Sequence, residues 1–222
     1  MKIITPKNNG DFESGAQVHY QISVSDIEDG ESKYKEINPI EVILEVRHVS
    51  ESDKAADVIK QEAHPDPAGF ASIRTANCFN CHAFSEKKMA PFFLEIGKRY
   101  DPASAIIDSL AKHILFGTDG IWRTTKMPSH PELTGQETQN IVRWIFKNTG
   151  DSSLNYLAGL DGSSRIQNGQ KGIFVLTASY LDLGIKNEPG QNLQGENSIE
   201  INVRSVFAFK LVQDTLLKEE DK

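Results

Sequence analysis

The sequence predicts a multidomain α + β protein, with a small all-α domain inserted in, or flanked by, a β-sandwich. Three observations carry this. The spacing of apolar residues has a period of two near both ends of the chain and a helical period in the middle. A polar, charged and Pro-containing stretch at 51–67, ending in His64-Pro65-Asp66-Pro67, suits a connector. The length of 222 residues admits one large domain or two small ones.

In chain order, Val18, Tyr20, Ile22 and Val24 alternate with polar residues, as do Val42, Leu44 and Val46, which predicts two half-buried strands. Ser25-Asp26-Ile27-Glu28-Asp29-Gly30 between them reads as a loop. From about 68 to 148 the spacing turns helical. Phe92, Phe93, Ile96 and Tyr100 are followed by Ile106, Ile107, Leu110 and Ile114, then by Ile141, Val142, Ile145 and Phe146; three or four short helices fit. Thr134-Gly135-Gln136-Glu137 is a capping box, because Thr134 and Glu137 can each satisfy an orphan amide of a first helical turn. After Gly159 the period of two returns, with Phe174, Leu176, Ala178 and Tyr180 on one face, then Ile199, Ile201 and Val203. Small sheets are marginal alone. Residues 1–50 and 154–212 are therefore expected to pair into one discontinuous sandwich, with 65–150 carried in an exposed loop.

Composition is that of a globular protein, 38% hydrophobic and 25% charged. No apolar run approaches the length of a membrane span, and the first residues lack the apolar core of a secretory signal. A net charge of −7 argues against a nucleic-acid partner. The charge is unevenly placed: residues 65–150 hold ten Lys or Arg against eight Asp or Glu, so the remainder carries −9.

The two cysteines of the chain both lie in Cys78-Phe79-Asn80-Cys81-His82. Two thiols at this spacing can add to the two vinyl groups of a haem, and the adjoining His82 is then placed to bind the iron. A redox dithiol should follow a strand and open the helix of a βαβ unit, whereas the segment 71–77 looks helical. Zinc needs four ligands and finds no second cysteine pair. A disulfide across two residues closes too short a loop to stabilise much. Covalent haem attachment normally follows export, so the chain is expected to be a mature segment, or a piece of a longer exported protein, in a periplasmic or other extracytoplasmic compartment. For the sixth iron position, Met127 in Thr125-Lys126-Met127-Pro128-Ser129-His130 offers a soft thioether from a polar loop rather than an apolar stripe. Met89 lies too few residues from His82. His130 and His113 leave bis-histidine ligation open.

These residues resemble a class I cytochrome c domain over roughly 68–148. Cys78-Phe79-Asn80-Cys81-His82 is followed by Ala90-Pro91-Phe92-Phe93-Leu94-Glu95-Ile96-Gly97-Lys98-Arg99-Tyr100, similar to the Gly-Pro segment and short helix of that family, with Ala90 in place of the usual Gly. Gly117-Thr118-Asp119-Gly120-Ile121-Trp122 then precedes Lys126-Met127-Pro128 and the last helix. The resemblance implies that the Pro91 carbonyl accepts a hydrogen bond from His82 and that Trp122 reaches a haem propionate. More loosely, 20–30 and 172–182 resemble PKD-like, immunoglobulin-type modules that accompany such cytochromes in bacterial proteins acting on sugars. Asp26, Glu28 and Asp29 offer oxygen ligands of the kind calcium takes, although a charged loop is ordinarily just solvated.

The implied function is one-electron transfer through a single covalent haem c with His82 and Met127 as ligands. It would relay electrons from a dehydrogenase, a sugar dehydrogenase by the resemblance, to a downstream cytochrome or oxidase. With both axial positions filled the chain would not itself be an enzyme. Lys87, Lys88, Lys98, Arg123 and Lys126 would steer an acidic partner. The rival reading is a haem-based gas sensor or peroxidase with a labile sixth ligand; another makes the β part a spacer or sugar-contacting module.

Overall fold

A computed structural model describes residues 1–49, 55–57, 66–119, 122, 126–182 and 193–205. The strands are β1 (Lys2–Thr5), β2 (Gly10–Glu13), β3 (Gln17–Ser23), β4 (Ser25–Asp26), β5 (Gly30–Glu31), β6 (Val42–Val49), β7 (Leu154–Ala158), β8 (Asp161–Arg165), β9 (Gly172–Leu181) and β10 (Gln194–Arg204). The α-helices are α1 (Ala68–Thr75), α2 (Phe93–Arg99), α3 (Ser104–Phe116) and α4 (Gly135–Thr149). The chain divides into two compact units, residues 1–63 with 159–222, and residues 64–158. The architecture is α + β.

In the first unit the apolar alternation becomes two sheets. β3 buries Val18, Tyr20 and Ile22 and exposes the residues between them, and it runs antiparallel to β1 on one side and β8 on the other. The second sheet orders β2, β10, β9 and β6, with β2 parallel to β10 and the other pairs antiparallel. Val18 and Tyr20 of the first sheet share one small interior cavity of about 20 Å³ with Leu44, Val46, Phe174, Leu176 and Ile201 of the second, so the two apolar faces meet.

The expected single buried face holds for β3 but not for β6 and β9. Val42, Ile43 and Leu44 are all buried, as are Phe174, Val175 and Leu176. Part of the reason lies in the stretch read as a connector: residues 55–57 are helical, and Ala55 packs, fully buried, with Val49 and Val175. The loop 26–29 is ordered by its own side chains. Asp26 Oδ1 accepts the backbone N–H groups of Glu28 and Asp29, each at 3.0 Å, and Asp29 Oδ2 accepts the buried Tyr180 hydroxyl at 2.7 Å.

The second unit is assembled on α4. Its start is the capping box, with Thr134 Oγ1 accepting the Glu137 N–H at 3.2 Å and Glu137 Oε2 accepting the Thr134 N–H at 2.7 Å. Its buried residues Thr138, Ile141, Val142, Trp144 and Ile145 recur at helical spacing and receive the other helices. Two glycines permit close crossing. A Cβ on Gly69 of α1 would run into the Asn140 carbonyl oxygen and the Trp144 side chain, and one on Gly97 of α2 into Thr149. Trp144 then becomes the centre of an aromatic cluster, stacked on Phe70 at 5.0 Å and touching Phe84 at 5.8 Å, Phe93 at 6.2 Å and Tyr156 of β7 at 5.4 Å.

Candidate haem site

The Cys-x-x-Cys-His segment is shaped by what precedes it. α1 ends at Thr75, and Asn77 takes a left-handed conformation with φ of 53°, which Asn tolerates better than most residues. A 3₁₀ turn over Cys78–Asn80 follows, anchored by the buried Phe79 between Phe70 and Phe93. The next loop is stitched back onto this segment. The Ala90 N–H donates to the Cys81 carbonyl at 3.1 Å and the Phe93 N–H to the Ala83 carbonyl at 3.0 Å.

His82 is held on two sides. Its Nδ1 lies 2.6 Å from the Pro91 carbonyl oxygen; a carbonyl only accepts, so Nδ1 carries the proton and Nε2 keeps its lone pair. The ring of Phe93 lies nearly parallel to the imidazole, with centroids 5.3 Å apart. Burial lowers the His82 pKa, the Pro91 carbonyl works the other way, and the neighbouring His130 lowers it further. A neutral imidazole with a free Nε2 is the form that binds a metal. Cys78 and Cys81 are free thiols, and burial pushes the Cys78 thiol up to about 12. A redox dithiol needs the opposite, a thiol pKa brought down.

Cys78, Cys81, His82, Pro91, Trp122 and Met127 all line one cavity of about 260 Å³. Ile96, Leu110, Ile114, Ile141, Val142 and Ile145 give it apolar walls. Leu110 and Ile96 are only half-buried although they sit on the apolar faces of their helices, as they would be if a flat apolar group completed the packing. Met127 is fixed at the backbone. It exchanges hydrogen bonds of 3.1 and 3.0 Å with Thr118, just beyond Gly117, whose φ of 75° and contact with the Met127 carbonyl leave no room for a side chain.

The other ligand candidates line the same cavity. His113 projects from α3; His130 has its Nδ1 2.7 Å from Glu132 Oε1 and its backbone N–H on the Ile114 carbonyl; Met89 is 56% exposed. Trp122 carries the Arg99 guanidinium 4.3 Å from its ring centroid. Of the lysines expected to steer a partner, Lys87, Lys88, Lys98 and Lys126 are all exposed. Lys88 is engaged, its ammonium donating to the Phe79 carbonyl at 2.7 Å. Arg123 lies outside the described residues. Sequence reasoning did not single out Phe93 or Arg99 for the site, nor the Lys88 contact; the one available signal was Asn77, a residue type suited to ending α1 in a left-handed turn.

The donor set fits a c-type haem: two unpaired thiols, a neutral oriented imidazole, a thioether and an apolar enclosure. Among the described residues no three His, Cys, Asp or Glu side chains gather as a site for a bare metal ion, the calcium candidates Asp26, Glu28 and Asp29 included.

The family model for cytochrome c matches residues 57–148. The chain is 31% identical over 85 residues to cytochrome c-552 of Hydrogenobacter thermophilus, covering 35% of this chain and 86% of that protein. It is 32% identical over 72 residues to cytochrome c-551 of Azotobacter vinelandii, covering 32% and 87%. Among solved structures, wild-type cytochrome c552 of Nitrosomonas europaea aligns with a TM-score of 0.33 at 23% identity, covering 35% of this chain and 95% of that one.

Proposed function

The chain belongs to the cytochrome c family, whose chemistry is haem-based electron transfer, and on that premise we propose that residues 64–158 would hold one haem c through Cys78 and Cys81, with His82 and Met127 as the side chains that would bind its iron. Haem c held there supplies an iron that takes up and gives back one electron at a time. The single observation that carries the assignment is the His82 imidazole, neutral and locked by Pro91 with Nε2 free, beside two unpaired thiols in an apolar cavity that Met127 also lines. The Met127 thioether would favour the reduced iron and raise the potential. Trp122, with Arg99 on its face, would meet a haem propionate.

With His82 and Met127 both bound to the iron, no ligand position would be left for a substrate, so the chain would act as a carrier rather than an enzyme. Its donor would be a dehydrogenase, sugar-oxidising by the resemblance of the flanking β segments, and its acceptor another cytochrome or an oxidase in a periplasmic or equivalent extracytoplasmic compartment. Exposed Lys87, Lys98 and Lys126 favour an acidic partner surface. The β unit would be an immunoglobulin-type, PKD-like module, a reading supported by its two facing sheets.

The test is an optical spectrum of the protein made with a haem-attachment system, beside that of Met127→Ala. Covalent haem is expected, with the weak long-wavelength sulfur-to-iron band of the oxidised form present in the wild type and lost in the variant. If covalent haem forms and that band is absent from both, Met127 is not the ligand. Carbon monoxide binding by the reduced wild type would then favour the gas-sensor or peroxidase reading.

A further inference from the structure

Three hydrogen bonds tie the loop before α2 to the Cys-x-x-Cys-His segment. Two recruit ordinary partners: the Ala90 N–H to the Cys81 carbonyl, and His82 Nδ1–H to the Pro91 carbonyl. The third is different in kind. The Lys88 ammonium donates to the carbonyl of Phe79, the first of the two residues between the cysteines, at 2.7 Å. Phe79 itself is immobilised, 3% exposed and wedged against Phe70 and Phe93, so the carbonyl that receives the charge is a fixed point. The contact is partly buried, where a charge acts through a lower effective dielectric than in water.

We infer that Lys88 is a positioning residue for the electron-transfer reaction: through Phe79 it holds the loop between the two cysteines, and it fixes a full positive charge beside the redox centre. This rests on the haem reading above. The reduced centre carries one positive charge fewer than the oxidised one, so a pinned cation stabilises the reduced form and raises the midpoint potential. Its neighbour Lys87 has the same formal charge and nearly the same place in the chain, and both side chains are exposed; what sets Lys88 apart is the Phe79 carbonyl that holds its ammonium in place. A mobile, solvated ammonium is screened and has a weaker effect.

The experiment measures midpoint potentials of the holoprotein against a fixed set of small redox dyes for wild type, Lys88→Met, Lys88→Arg and Lys87→Met. Lys88→Met is expected to lower the equilibrium constant for taking up an electron about three- to tenfold, roughly 30 to 59 mV for a one-electron couple. Lys88→Arg and Lys87→Met are expected to stay within about twofold of wild type. If Lys88→Met does not accumulate, Lys88→Gln, which keeps a donor but no charge, stands in its place with the same expectation. An unchanged potential in the neutral variant overturns the inference. So does an equal fall in Lys87→Met, which would mean that net charge and not the Phe79 contact sets the potential. If the wild type acquires no covalent haem, the haem reading has failed and this one with it; a normal wild-type spectrum with flat variant potentials sinks this one alone.

Discussion

Tyr180 reaches from β9 to place its hydroxyl 2.7 Å from Asp29 Oδ2, and its ring is buried. Burial first, then the Asp29 carboxylate as hydrogen-bond partner and charge, push the phenol above its usual pKa. The phenol of an unfolded chain loses its proton near about pH 10, whereas the folded one holds it. The stabilisation is therefore complete below about pH 10 and declines as pH rises beyond it. Tyr180→Phe should lower the stability of the β unit by about 0.5–1.5 kcal/mol at pH 8, and urea titrations at rising pH should show that deficit shrinking above about pH 10. A deficit that grows with pH would contradict the assignment. At this scale the sequence was legible where particular residue types recur at fixed spacing, as at Cys78, Cys81 and His82, which the fold brings to one cavity. It was mute about the Phe93 stacking and the Lys88 contact, because stacking on an imidazole or donating to a carbonyl can be done by many residues and is decided by how the backbone brings them together.

Among the elements, α4 depends on a local device and a distant one. The local device is the Thr134–Glu137 box. Hydrogen bonds from the Thr134 backbone and hydroxyl hold the Glu137 carboxyl below its ordinary pKa. A lowered carboxyl pKa contributes stability above the unfolded value and loses it as pH falls through the folded one. Thr134→Ala should cost about 0.5–2 kcal/mol, and thermal melts of Glu137→Gln should lose less stability than wild type on going from neutral pH to below about pH 4. Equal acid sensitivity in both would place the titrating group elsewhere. The distant device is the pair of glycines that let α1 and α2 lie against α4. Gly69→Ala would press a methyl group on the Asn140 carbonyl and Trp144, an overpacking that costs typically about 1–3 kcal/mol. The box was readable because its four residues are contiguous. So were the periods of β3 and α4, each with one face toward a core. The two-sided burial of β6 and β9 was not, since Val42, Ile43 and Leu44 form an unbroken apolar run with no alternation to read, and the turn of helix at Ala55 comes from a polar stretch.

On the scale of the whole molecule, the β unit is built from chain segments on either side of the helical one. β2 pairs with β10, β3 with β8 and β6 with β9, in registers such as Val203↔Phe12, Tyr20↔Gly162 and Leu44↔Ala178. Nothing in the sequence marks those pairings, because register between distant strands is set by mutual burial rather than by a local signal. Their physical consequence is that without the C-terminal strands β2 and β6 lose their strand partners, β3 keeps only β1, and the first sheet loses its covering sheet. A single proteolytic cut within residues 58–65 should therefore leave the two pieces associated: they should elute together from a sizing column in buffer and separate only in denaturant, with the far-ultraviolet signal of the β unit retained until then. The loop closure that the covalent link provides is a modest term that grows only slowly with loop length, so cutting it should lower the urea midpoint without abolishing folding. If the N-terminal piece instead leaves the column by itself and keeps strand structure, the strand pairs across the helical unit are not what stabilises it, and the two β segments fold independently.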